Sequence, residues 1–194
     1  MSKKIIIHSA NSHKKVRRAL KIADFAEVDV AKSFFGKEFI LQHNGILGKL
    51  GIGPGIRPLL GEKYQNKIIF DLKHPKFSFY FNKLFGQMLV KRSFKNAMIT
   101  SSDWQTVSKI AKIYHYRPFY YLDREKDKNA FIRMLPTLAF PEGVITPVKL
   151  INRTWIKKMQ KYQIKLIAWA KNKEEENLVD DLPIFAKIVD FPKK

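Results

Sequence analysis

The chain has 194 residues, 45% of them hydrophobic and 13% aromatic, enough for one domain with a substantial core and too apolar for a disordered polymer. Its 37 Lys and Arg against 17 Asp and Glu give a net charge of +20, which favours polyanionic partners, either nucleic acid or an anionic lipid surface. Cysteine is absent, which removes disulfides, thiolate metal sites and cysteine nucleophiles together. The opening Met-Ser-Lys-Lys-Ile-Ile-Ile-His has only three consecutive apolar residues, too few for a signal-peptide core, and no later run approaches a membrane span. The expectation is a cytoplasmic protein, soluble or peripherally attached at the inner membrane surface. The basic residues are spread along the whole chain, with no basic tail, zinc-finger spacing or aromatic-basic recognition motif, so charge alone does not argue for nucleic acid.

Short apolar or β-branched runs alternate with stretches of helical spacing. The runs are Lys4–His8, Phe25–Val30, Glu38–His43, Lys67–Lys73, Ala97–Ser101, Phe119–Leu122, Thr137–Phe140, Lys165–Ala170 and Ala186–Asp190. The helical stretches are Lys14–Ile22, Phe77–Val90, Trp104–Tyr114, Arg124–Met134, Pro147–Lys161 and Lys173–Leu182. Ser102-Asp103 precedes one helix, and Thr146-Pro147 offers a cap with proline at the first helical position. Such alternation predicts parallel β/α units. Eight strands, with Glu38–His43 as a short hairpin partner, predict a compact (β/α)8 TIM barrel occupying residues 1–194 as a single domain. Only four residues follow Asp190, so the reading predicts a barrel lacking its last helix, a gap that a second subunit in a homo-oligomer would cover.

The Gly- and Pro-rich stretch from Gly45 to Pro58 excludes regular helix or strand. It is not a phosphate-binding P-loop, because Gly48-Lys49 is followed by leucine. It reads as a flexible apolar loop at the mouth of a site. In the aromatic segment beyond it, Phe77, Phe81, Leu84, Phe85 and Met88 share one helical face and are expected to pack on the barrel. Phe79 and Tyr80 lie off that face and, with Ile46, Leu47 and Ile52, would form a lip able to touch an anionic membrane.

In a parallel barrel the chemistry sits at the C-terminal strand ends, and alternate residues point inward. His8 ends the first strand. Glu27 and Asp29 stand two apart at the end of the second, His43 ends the hairpin strand, and Asp71 and Lys73 repeat the two-residue spacing. Three carboxylates converging at one rim repel unless a cation lies between them, and an oxygen-rich site of that kind suits Mg²⁺ or Ca²⁺. Two histidines supply a general base and a general acid, and a lysine neutralises a phosphate oxygen. The set suits phosphodiester cleavage. His13, His74 and His115 have no such placement.

The same residues carry a resemblance. His8-Ser9, Glu27-Val-Asp29, Ile40-Leu-Gln-His43-Asn44 and Phe70-Asp71-Leu-Lys73 follow the order of the His-Arg-Gly, Glu-x-Asp, His-Asp and Glu-x-Lys strands of the glycerophosphodiester phosphodiesterases. Ile99-Thr-Ser-Ser102, Ile167-Ala-Trp169-Ala-Lys-Asn172 and Ile188-Val-Asp190-Phe-Pro192 resemble that family's later landmarks. The resemblance implies a divalent metal on Glu27, Asp29 and Asp71, acid/base work by His8 and His43, Lys73 on the phosphate and Trp169 lining the pocket. It implies hydrolysis of glycerophosphodiesters to glycerol 3-phosphate and an alcohol, the substrate's own hydroxyl attacking phosphorus. Three departures stand out: Ser9 replaces an arginine, Asp71 a glutamate and Asn44 an aspartate. His8-Ser-Ala-Asn11 and Asp71-Leu-Lys73 resemble instead the sphingomyelinase D-like phospholipases, which implies substrate binding by Asn11 and head-group release from lysophospholipids. The rival readings are a basic nucleic-acid-binding protein and a catalytically inactive barrel.

Overall fold

The computed structural model describes residues 3–32, 39–41, 52–64, 66–73, 79–91, 94 and 96–190. The strands are β1 (Lys4–Ile7), β2 (Phe25–Lys32), β3 (Phe39–Leu41), β4 (Ile68–Leu72), β5 (Met98–Ser101), β6 (Arg117–Tyr121), β7 (Gly143–Pro147), β8 (Lys165–Trp169) and β9 (Ala186–Val189). The α-helices among the described residues are α1 (His13–Ile22), α2 (Phe79–Lys91), α3 (Trp104–Tyr114), α4 (Glu125–Met134), α5 (Arg153–Lys161) and α6 (Lys173–Asp180). All strands but β3 are parallel, in the order β1-β9-β8-β7-β6-β5-β4-β2, and β1 pairs with β2 to close the ring. The expected eight-stranded parallel barrel is therefore present, and β3 lies antiparallel on β2 as the expected hairpin strand.

Five of the described helices begin where the sequence supplies an acceptor for orphan N–H groups. Ser12, Asp103, Asn152 and Asn172 cap α1, α3, α5 and α6, accepting from Lys15, Thr106, Trp155 and Glu175. In α4 the third helical residue, Asp127, reaches back to the backbone N–H of Arg124 at 2.9 Å. α1 places Val16 and Ala19 in the core and exposes Lys14, Lys15, Arg17, Arg18 and Lys21, so its sequence divides cleanly into two faces. Among the described residues no helix is long and apolar enough to cross a membrane.

One strand lies elsewhere than expected. Thr137–Phe140 forms no strand: Thr137 closes a turn onto the carbonyl of Met134, and Phe140 is 70% exposed. The strand that stands in its place is β7, Gly143–Pro147, wholly buried, and the helix expected from Pro147 starts only at Arg153, after a 3-10 turn over Val148–Leu150. Prolines at 136 and 141 bracket the misread run and remove two backbone donors that a central strand would need. Pro147 is tolerated because it is the last residue of its strand.

Part of the Gly-rich stretch is anchored. Leu41 donates to the Pro54 carbonyl and Ile56 to that of Phe39, while Ile56 and Leu59 are buried in the core. Ile52 is exposed, but residues 45–51, Phe77 and the side chains of Phe79, Tyr80, Phe81 and Leu84 lie outside the described residues, and with them most of the proposed lip. Phe85 is fully buried and stacks edge-on against Phe39 and Phe70, as expected for a barrel-facing residue.

Among the described residues, apolar clusters lie on both sides of the barrel wall. The largest lies between wall and helices. A second contains Ile6, Ile69, Met98, Phe119, Ile145, Ile167 and Ile188, with Phe25 packed against it, one residue from every strand of the ring. Only the barrel interior touches all eight strands, so this cluster is the floor on which the site rests.

At the opposite, N-terminal face, Glu142 binds Arg117 at 2.6 Å and also Lys165, clipping together the starts of β6, β7 and β8. Burial pushes the Glu142 carboxyl up, but the hydrogen bonds from Arg117 and Lys165 outweigh it and hold it below the usual carboxylate range. A lowered folded-state pKa contributes stability above the unfolded value, lost as pH falls through the folded one. Glu142→Gln should therefore unfold at lower denaturant than wild type at pH 7, and the two midpoints should converge below about pH 4. A β-carbon on Gly143 would lie 2.7 Å from the Lys165 carbonyl oxygen and 2.8 Å from the Phe119 ring. Gly143→Ala should cost about 1–3 kcal/mol in urea unfolding, a loss that an open site would not show.

Candidate active site

Side chains two residues apart on a strand share a face. One such step toward the C-terminal end from each floor residue gives His8, Glu27, Asp71, Thr100, Tyr121, Pro147, Trp169 and Asp190. A second step gives Asp29, Lys73, Asp123 and Lys171. The mouth of the barrel is thus two rings of mostly polar side chains set directly on an apolar floor.

Glu27 and Asp29 are fully buried and Asp71 is 3% exposed. Each offers a carboxylate oxygen within 4.8 Å of the other two. Lys73 ion-pairs with Asp71 and lies 2.8 Å from Asp29 Oδ1. Ser9 donates its backbone N–H to Glu27 Oε2 at 2.8 Å and its hydroxyl to Asp29 Oδ2 at 3.1 Å. To do so Ser9 adopts φ 50°, a left-handed conformation costing a β-carbon-bearing residue on the order of 1 kcal/mol. Asn11 clasps Asp29 with both ends of its amide: Nδ2 donates to Oδ2 at 2.5 Å and Oδ1 accepts from the Asp29 backbone at 2.8 Å. Asn11, expected at the substrate, thus has both ends of its amide on Asp29.

Burial first, then the charges of Asp29 and Asp71, drive the Glu27 carboxyl well above its ordinary range. Burial also raises Asp71, against the pull of Lys73. Burial would lower the Lys73 ammonium, yet the three carboxylates outweigh it and raise it. Glu27 Oε1 has no donor within reach among the described residues. Three carboxylates facing one lysine leave excess negative charge, which either a proton on Glu27 or a cation among the three relieves. Three hard oxygen donors, one of them orphaned and buried, fit a divalent ion of the Mg²⁺ or Ca²⁺ type.

His8 stands beside this group. Its Nδ1 lies 3.1 Å from Asp190 Oδ1, and its Nε2 lies 3.1 Å from Ser9 Oγ and 3.7 Å from Glu27 Oε2. The Trp169 ring is 6.0 Å from the imidazole, centroid to centroid, and walls one side of the cleft. Burial, and then the charges of Glu27, Asp71 and Asp29, drive the Tyr121 hydroxyl well above its ordinary range. Thr100 is fully buried with its hydroxyl unpartnered among the described residues, on the strand beside Asp71.

His8, Glu27, Asp29, Asp71, Lys73 and Trp169 are therefore brought together as the sequence reading expects. His43 lies outside the described residues, as do Asn44 and His74. His13 ties α1 to the Gly55 carbonyl at 2.9 Å, and His115 ends α3 in a left-handed turn, so both are structural. Asp190, Tyr121, Thr100, Asp123 and Lys171 were not singled out, although the two-residue step from the floor finds all of them.

No protein-family model and no curated protein sequence matches the chain. Solved structures do. The phosphodiesterase of Oleispira antarctica, solved in complex with the product sn-glycerol-3-phosphate, aligns at TM-score 0.73 and 12% identity over 95% of this chain and 92% of its own. The glycerophosphodiester phosphodiesterase of Agrobacterium tumefaciens aligns at TM-score 0.69 and 13% identity, covering 96% of this chain and 95% of its own. A barrel of different activity, the N-(5'-phosphoribosyl)anthranilate isomerase of Pyrococcus furiosus, aligns less closely, at TM-score 0.59 and 14% identity over 97% and 88%.

Chelated protein should gain stability when Mg²⁺ or Ca²⁺ is added, by about 2.7 kcal/mol at a hundredfold excess over Kd. Asp71→Asn should abolish that gain in thermal unfolding, and an unmoved wild-type midpoint would count against a metal site. At these identities the likeness shows the fold: the chain is built as the glycerophosphodiester phosphodiesterase barrels are.

Proposed function

We propose that the protein is a metal-dependent phosphodiesterase that cleaves glycerophosphodiesters to glycerol 3-phosphate and an alcohol. The observation that carries this reading is the buried Glu27–Asp29–Asp71 group, with its orphaned Glu27 oxygen, meeting Lys73 and His8 at the C-terminal mouth of the barrel. The solved complex of a similar barrel with sn-glycerol-3-phosphate supports the substrate class.

Glu27, Asp29 and Asp71 would hold the ion, which when bound lends positive charge to the phosphoryl oxygens. Lys73, gripped by Asp29 and Asp71, keeps a permanent cation where the diester's charge must sit. Asp190 fixes the His8 ring through Nδ1 and leaves Nε2 to take or give a proton at the cleft. His43 is the complementary acid/base group in this proposal. One histidine takes the proton of the substrate hydroxyl that attacks phosphorus and the other protonates the departing alkoxide, leaving a cyclic phosphate. The pair then acts in reverse as water opens that ring to glycerol 3-phosphate. Trp169 closes the wall beside His8. A lysophospholipid shares the glycerophosphodiester moiety and is the alternative substrate, head-group release then occurring at a membrane surface.

The assay is release of alcohol from glycerophosphoglycerol, glycerophosphocholine and lysophosphatidylcholine, with Mg²⁺, Ca²⁺ or chelator. Metal-dependent turnover of the small diesters is expected, and none with chelator. His8→Ala should lower kcat by roughly 10²- to 10⁴-fold without loss of the folded circular-dichroism spectrum. Folded wild-type protein that turns over no diester with either metal would overturn the reading.

A further inference from the structure

The second ring of the mouth holds two charges that the chemistry above does not use, Lys171 beyond β8 and Asp123 beyond β6. The Lys171 ammonium lies over the Trp169 indole, 5.0 Å from its centroid. That indole is the same ring that stands 6.0 Å from His8. An indole face is the strongest side-chain receptor for a quaternary ammonium, and a resident cation both covers it and repels a second one. Asp123 is the carboxylate that could draw such a cation into the mouth. Burial and Asp127 push its carboxyl up, while Arg124, Lys171 and Lys73 pull against them. Of the two receptors for a cationic alcohol at this mouth, Lys171 covers the indole, and its charge works against the pull of Asp123 on a second cation.

We propose that Lys171 is a specificity residue that excludes diesters with a cationic alcohol, such as choline, and favours those whose alcohol carries no cation. This deepens the phosphodiesterase reading and rests on it. The position is set by the fold: Lys171 is two residues beyond Trp169, and its backbone N–H is held at 2.8 Å by Glu175 Oε2 in the first turn of α6. Arginine at this position would also stack on the indole and keep its charge. Glutamine would uncover the ring and remove the positive charge that repels a second cation there.

The test compares kcat/KM for glycerophosphoglycerol and glycerophosphocholine in wild type, Lys171→Gln and Lys171→Arg. Wild type should favour the glycerol ester. Lys171→Gln should shift the ratio toward the choline ester on the order of tenfold, and Lys171→Arg should keep the wild-type ratio. A ratio unmoved by Lys171→Gln, in an enzyme that hydrolyses both diesters, overturns the specificity role and leaves the phosphodiesterase reading intact. Saturation-transfer NMR with the same two diesters under chelation reads the contact without turnover. The choline methyl protons should be weakly saturated in wild type and strongly in Lys171→Gln. Equal saturation in the two proteins, or none from either diester, overturns the proposal even if no hydrolysis is found.

Discussion

Three carboxylates held together out of water are the constraint around which the upper half of the barrel is arranged. Glu27, Asp29 and Asp71 are each almost wholly buried, and a buried carboxylate is tolerated only when charge and hydrogen bonds replace its lost hydration. The replacements come from all around. Lys73 supplies the countercharge, Asn11 grips Asp29 from two directions, and Ser9 bends into a left-handed conformation to aim its N–H at Glu27. What remains unmatched is one oxygen of Glu27 and the surplus negative charge. That imbalance turns a structural cluster into a candidate cation site.

Such a cluster needs a rigid frame, because the separations that matter are set by strand register. β2 and β4 pair so that Asp29 stands opposite Asp71, and β4 and β5 so that Asp71 stands opposite Thr100. The apolar floor keeps those registers from slipping, since a one-residue shift would turn Ile69 outward and send Asp71 with it. The far end has a separate device, the Glu142 carboxylate bound by Arg117 and Lys165. The Glu142 clip on β6–β8 and the carboxylates of β2 and β4 thus stand at opposite ends of the barrel and on different strands.

Ser9 shows how a departure from the resembled pattern is absorbed locally. Where that pattern has an arginine, this chain has a short hydroxyl that touches His8 Nε2 and Asp29 Oδ2 at once. The hydroxyl links the imidazole to the acidic group without adding charge. Positive charge in the mouth then comes from Lys73 within the lower cluster and Lys171 above it.

Much of this was legible in the chain itself. Polar residues two apart at the ends of apolar runs marked Glu27, Asp29, Asp71 and Lys73 as strand-end groups, because strand periodicity is local. Asp103 likewise announced its helix. Thr137–Phe140 and Gly143–Pro147 have similar apolar character; the flanking prolines weigh against the first, and the pairing of Gly143 with Phe119 and Lys165 selects the second. Asn11 and Asp190 could not be assigned locally either. Asn11 meets Asp29 across 18 positions, and Asp190 meets His8 across 182. The sequence determined which residues would end strands and face inward. Which of them touch was decided by barrel closure, since pairing Ile7 with Val189 is what sets His8 beside Asp190.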